Sequence, residues 1–228
     1  MSKSELSLAS SNLAPADLAQ YIDHTILRPD ATPDDVSAIC DEAIKHNFKA
    51  VCVNPIFIPR IVDHLAGTGV AACSVINFPF GATSTAMKVA EAEWVVAQGA
   101  IEVDMVIPIG LMKSGNFDAV RDDIAAVKAA CGNTLLKVIL ETALLSDDEK
   151  ITACNLSKEA GADFVKTSTG FAGSGATVAD VMLMRRTVGN AMGVKASGGV
   201  RTTEDALQMI EAGASRIGAS ASISIIGR

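Results

Sequence analysis

Three lysines recur at a fixed interval: Lys137, Lys166 and Lys195 stand 29 residues apart. Each closes a short run of apolar or small residues, Leu135-Leu136, Phe164-Val165 and Gly193-Val194. Each also lies five residues after a Gly or Asn able to end a helix, namely Gly132, Gly161 and Asn190. Lysines at the inner ends of buried strands are costly unless the amine does chemistry. An unprotonated lysine can add to a carbonyl and form a Schiff base. Lowering a lysine pKa from about 10.4 to ~7 needs about 4.6 kcal/mol of selective destabilisation of the ammonium. A second ammonium at ~4 Å supplies roughly 4 kcal/mol at an effective dielectric of about 20. Lys166 is central in the series, so it is the expected nucleophile, with Lys195 as its perturber. Asp104 is the expected proton carrier beside them. The competing explanation is that the lysines only snorkel from strand ends and pair with acids such as Asp104 and Glu141.

These side chains need a scaffold that repeats. The same five-residue offset leads from Asn47 to Cys52, Gly69 to Ser74, Gly99 to Asp104 and Gly213 to Gly218. Strands are expected near 22–25, 50–53, 71–76, 102–106, 135–140, 164–166, 194–196 and 216–218. Amphipathic helices are expected over 33–45, 55–65, 85–98, 116–130, 147–160, 177–188 and 203–212, with Ser146 and Thr203 as N-terminal caps. Eight alternations predict an α/β fold, a (β/α)8 TIM barrel, with a doubly wound sheet as runner-up. In the barrel, Asp104, Lys137, Lys166 and Lys195 converge at the C-terminal mouth. Residues 1–14 read as a Ser-rich tail, 15–228 as a single domain, and 220–228 as a stub of a last helix.

A second signal concerns anions. Ser197-Gly198-Gly199-Val200-Arg201 follows strand seven and Gly218-Ala219-Ser220 follows strand eight. Loops at those two positions form a recurring phosphate site in such barrels, because glycines let backbone N–H groups approach the anion. Thr167-Ser168-Thr169-Gly170 adds hydroxyls beside Lys166. Asp23 could reach the mouth and Cys52 could line the pocket. The three histidines lack metal-ligand spacing, and the five cysteines include no C-x-x-C pair. Reduced thiols point to a cytoplasmic location. The net charge of −7 argues against nonspecific nucleic-acid binding, and no apolar stretch is long enough to span a membrane.

The motifs together resemble the 2-deoxyribose-5-phosphate aldolase family, class I aldolases with a TIM-barrel fold. The likeness runs from about Tyr21 to Ser220. It is carried by Tyr21-Ile22-Asp23-His24-Thr25, Val51-Cys52-Val53-Asn54-Pro55, Val75-Ile76-Asn77-Phe78-Pro79 and Glu102-Val103-Asp104-Met105-Val106. Further stretches are Lys137-Val138-Ile139-Leu140-Glu141-Thr142, Phe164-Val165-Lys166-Thr167-Ser168-Thr169-Gly170, the Val194–Arg201 segment and Arg216–Ser220. The resemblance implies reversible cleavage of 2-deoxy-D-ribose 5-phosphate to D-glyceraldehyde 3-phosphate and acetaldehyde, with no metal or organic cofactor. It implies that Lys166 forms the imine, Lys195 perturbs it and Asp104 moves protons through a water. It also implies that Asp23, Cys52, Lys137 and Thr169 line the pocket, and that Gly170, Gly198, Gly199, Gly218 and Ser220 hold the phosphate. Ala221 departs from the family's second serine. The expected partners are sugar phosphates and aldehydes. A homodimer or homotetramer is compatible with the sequence, but no motif specifies either. Another Schiff-base aldolase, a phosphate-binding isomerase or synthase, and an inactive binding protein are the competing readings.

Overall fold

The strands form because runs such as Ala50-Val51-Cys52-Val53 and Ala71–Ile76 bury every residue, the pattern of parallel strands covered on both faces. In chain order they are β1 (Ile22–Ile26), β2 (Ala50–Val53), β3 (Ala71–Ile76), β4 (Glu102–Val106), β5 (Leu135–Ile139), β6 (Phe164–Lys166), β7 (Gly193–Ser197) and β8 (Arg216–Ala219). All pair in parallel in the order β1 to β8, and β8 closes on β1. The computed structural model describes residues 13–227. The expected tail, apart from its last two residues, lies outside them.

The helices are α1 (Pro15–Ala19), α2 (Pro33–His46), α3 (Ile58–Leu65), α4 (Thr85–Ala97), α5 (Ile109–Lys113), α6 (Phe117–Cys131), α7 (Asp147–Glu159), α8 (Val178–Val188), α9 (Thr203–Glu211) and α10 (Ser222–Ile225). The start of the expected 55–65 helix is a 3-10 turn, Pro55–Phe57, before α3. The short α1 and α5 were not expected; five residues each give too little periodicity to read. Ser146 caps α7 as expected, in a reciprocal box with Glu149. The cap of α9 is Thr202 rather than Thr203, since Thr202 pairs reciprocally with Asp205. The left-handed stop after α8 is Gly189 rather than Asn190, at φ 64°. Glycine takes that conformation at less steric cost.

The register refines the lysine series. Lys166 pairs with Lys195, and Asp104 with Lys137. Between β5 and β6, however, Lys137 faces Phe164, and Ile139 faces Lys166. Lys137 therefore lies two residues deeper than Lys166. A two-residue offset keeps both side chains on the inner face while the barrel closes with a stagger. The equal spacing in sequence thus becomes two layers in space.

Candidate active site

The barrel interior is an ion cluster. Asp104 is completely buried on β4 and is shared by three lysines. Its Oδ1 lies 2.8 Å from Lys137 Nζ. Its Oδ2 lies 2.8 Å from both Lys166 Nζ and Lys195 Nζ, so these two nitrogens are at most about 5.6 Å apart. At that separation their repulsion is about 3 kcal/mol at an effective dielectric of about 20. Asp23 on β1 holds Lys195 at 2.5 Å. Glu102 holds Lys137 at 2.7 Å.

Two members of this cluster were not among the expected site residues. Arg216 on β8 bonds Asp23 and reaches Glu102 at 2.7 Å. Arg216 and Glu102 are 114 residues apart in sequence and opposite in sign. Their shared inward register was the only signal that could have joined them. Counted together, four cations face three carboxylates.

Burial alone would raise the Asp104 carboxyl, but the ammoniums of Lys137, Lys166 and Lys195 hold it well below the usual carboxylate range. Burial likewise opposes the shift of Asp23, which Lys195, Lys137 and Arg216 bring down to about 2. Burial pushes Lys195 down, and Asp104 and Asp23 more than reverse it, so Lys195 is a persistent cation. Lys137 is held charged in the same way, chiefly by Asp104 against burial. Cys73, Cys52 and Asp104 offer donor atoms within 4.8 Å of one another, a grouping that could hold a metal ion. The Lys137 ammonium already occupies that corner, 3.4 Å from Cys73 Sγ.

Above the cluster opens a cavity of about 520 Å³. Lys166 and Thr169, with the expected phosphate residues Gly170, Gly198, Gly199, Gly218 and Ser220, line it. Asp23, Cys52 and Lys137 do not. They are wholly buried beneath its floor, because ion pairing draws Asp23 and Lys137 inward and Cys52 packs beside Cys73. Thr169 does not offer a free hydroxyl, since it donates to Glu141. Among the described residues Glu141 is in no ion pair with the lysines, which pair with Asp23, Glu102 and Asp104. His24 also lines the cavity and bridges Glu42, at 2.7 Å, and Ser222, at 2.8 Å. Ser222 is buried against this histidine, so it does not replace the hydroxyl missing at Ala221.

Two glycines have packing reasons to be glycine. A Cβ on Gly218 would stand 2.9 Å from Lys195 Cε, so its absence admits the lysine's stem. A Cβ on Gly198 would stand 2.9 Å from Gly175 Cα, where the β6–α8 and β7–α9 loops are stitched by Ala176 N–H donating to Gly198 at 2.9 Å. Gly199 differs: at φ 82° it is left-handed, and a Cβ there would meet open space.

A buried, lysine-rich barrel floor beneath a glycine-rimmed cavity is the arrangement to compare with known proteins. The model of the DeoC/LacD family aldolases matches residues 18–228. The chain belongs to that family. A deoxyribose-phosphate aldolase of Rhodospirillum rubrum is 71% identical over 215 residues, spanning 94% of this chain and 90% of the relative. One of Brevibacillus brevis is 58% identical, spanning 91% of this chain and 94% of the relative. Among solved structures, a tetrameric deoxyribose phosphate aldolase from Aeropyrum pernix superimposes with a TM-score of 0.91 at 35% identity, covering 100% of this chain and 97% of the other. On the barrel floor, Lys166 alone among the clustered lysines lines the cavity.

Proposed function

We propose that this aldolase reversibly cleaves 2-deoxy-D-ribose 5-phosphate to D-glyceraldehyde 3-phosphate and acetaldehyde, through an imine on Lys166. One observation carries the assignment of the lysine. Lys137 has Asp104 and Glu102 within 2.8 Å, and Lys195 has Asp23 and Asp104. Lys166 has one carboxylate oxygen, which it shares with Lys195, and it is the member of the cluster that opens on the cavity.

In the cleavage direction, the Lys166 amine adds to the C1 aldehyde and water leaves, giving a protonated imine. Loss of the C3 hydroxyl proton then breaks the C2–C3 bond. The bonding pair moves into the imine as an enamine, and the three-carbon aldehyde phosphate departs. Protonation of the enamine carbon and hydrolysis release acetaldehyde and restore the amine. Once Lys166 is committed to the substrate, Asp104 Oδ2 loses one of its two ammonium partners. That is the moment at which this carboxylate can accept a proton, with a water as intermediary. Lys195 stays charged beside the reacting nitrogen, held by Asp104 and Asp23. The glycine-rimmed loops after β6, β7 and β8 line the same cavity as Lys166, and a 5-phosphate held there would fix the reacting carbons by remote binding.

No helix of the described residues is long and apolar enough to cross a membrane. Five buried free thiols suit a reducing cytoplasm as the working place. Self-association as a homodimer or homotetramer is motivated by exposed Phe80, Met87 and Ile101.

Borohydride reduction in the presence of acetaldehyde, followed by peptide mapping, tests the proposal. A two-carbon adduct on Lys166 is expected. An adduct on Lys137 or Lys195 would reassign the nucleophile. Lys166→Arg is expected to abolish turnover, since a guanidinium stays protonated and cannot attack a carbonyl.

A further inference from the structure

Glu141 is the one non-glycine, non-asparagine residue of positive φ among the described residues, at φ 57°, ψ 63°. That conformation is costly for a residue with a γ-carbon and no local reason to adopt it. Its carboxylate is buried, yet the clustered lysines pair with Asp23, Glu102 and Asp104 instead. It accepts only from Thr169, from the N–H at 3.2 and 3.3 Å and from the hydroxyl. The Thr169 Oγ1 in turn accepts from Phe171 N–H at 3.0 Å. Phe171 and Gly170 wall the cavity beside Lys166. The Phe171 ring meets Phe78 edge-on, at 5.4 Å. A strained backbone and an uncompensated buried carboxylate thus serve one end: they hold the turn that follows the expected imine lysine.

We propose that Glu141 is a positioning residue for sugar-phosphate recognition, clamping Thr169 so that the 169–171 turn presents its backbone to the phosphate. This rests on the deoxyribose 5-phosphate reading above. The clamp acts through geometry rather than charge, because a carboxylate facing a phosphate directly would oppose binding. Its contribution should therefore be confined to substrates that carry the anion.

The test compares Glu141→Asn with Glu141→Gln. Asparagine tolerates the left-handed backbone but is one methylene too short to reach Thr169. Glutamine keeps an acceptor oxygen at the original reach. For Glu141→Asn we expect KM for deoxyribose 5-phosphate to rise roughly tenfold, the loss of about one charge-assisted hydrogen bond. KM for unphosphorylated deoxyribose should be unchanged, and acetaldehyde should still be trapped on Lys166 at the wild-type rate. Glu141→Gln should recover most of the loss. Amide exchange at Phe171 should be fast in Glu141→Asn and slow in Glu141→Gln. Equal losses on both sugars, or an unprotected Phe171 amide in Glu141→Gln with normal KM, would overturn the clamp. If Glu141→Asn fails to fold, the Glu141→Gln amide exchange and KM pair still decides. Wild-type enzyme that neither traps acetaldehyde nor turns over deoxyribose 5-phosphate would instead remove the underlying functional reading.

Discussion

Lys88 and Lys166 are both buried lysines bonded to a buried aspartate, and their surroundings are opposite in kind. Lys88, on α4, reaches Asp123 of α6 at 2.7 Å and the carbonyl of Val106 at 3.0 Å. Asp123 also accepts from Thr85 at 2.7 Å. Burial pulls the Lys88 pKa down and Asp123 pulls against it. The charges match one to one, so the pair ties α4 and α6 to the end of β4. In the barrel, by contrast, the carboxylates are outnumbered. Lys166 shares its only oxygen with another ammonium and faces a cavity. Burial by itself thus says little about a lysine's task. The ratio of cations to carboxylates, and access to an open space, separate the staple from the proposed nucleophile.

The comparison can be broken from either side. Removing the barrel's surplus charge should have the larger effect on turnover. Lys195→Leu leaves Asp104 to hold Lys166 alone and removes about 3 kcal/mol of repulsion, so turnover at neutral pH should fall by roughly two orders of magnitude. Wild-type turnover in a folded Lys195→Leu variant would remove this repulsion from the account of the site. At the staple, Lys88→Met should cost stability instead, by about 3–5 kcal/mol, because Asp123 is left buried without its cation. Denaturant titration reads this, and the folded fraction should still trap acetaldehyde on Lys166. Adding Asp123→Leu should recover much of the stability; failure to do so would mean that the pair's packing, not its charge, is what matters. The smallest effect is expected at the rim. Gly199→Ala meets no neighbour, so only its left-handed backbone is strained, by roughly 1–2 kcal/mol. KM for the phosphorylated sugar should rise several-fold while deoxyribose is unaffected. Equal losses on the two sugars would make Gly199 a folding residue.

What the sequence made legible was local. Apolar runs bounded by Gly or Asn placed β2, β3, β4 and β6 at their observed ends, and the alternation implied the barrel. The lysine interval pointed to the floor because each lysine sits at a fixed distance from a helix stop. What stayed hidden depends on the third dimension. The stagger between β5 and β6 is a closure condition that no single strand encodes, and it put Lys137 a layer lower than its spacing implied. Arg216 and Glu102 became partners only when β8 came to face β4 across the interior. Glu141 read as an acid for the lysines, since its left-handed backbone cannot be seen in a residue type that rarely adopts one. Gly218 read as a phosphate donor, although its missing Cβ also makes room for Lys195.

The Arg216 bridge has a bearing on how the chain matures. Asp23 and Glu102 are laid down early, on β1 and β4, while the guanidinium that compensates both arrives on β8, the last strand to be synthesised. Without that strand, Lys195 and Lys137 still hold Asp23 and Glu102, and three lysines face three carboxylates, so the floor has no surplus of positive charge until Arg216 arrives. The charge imbalance of the barrel floor is thus contributed by the last strand of the ring.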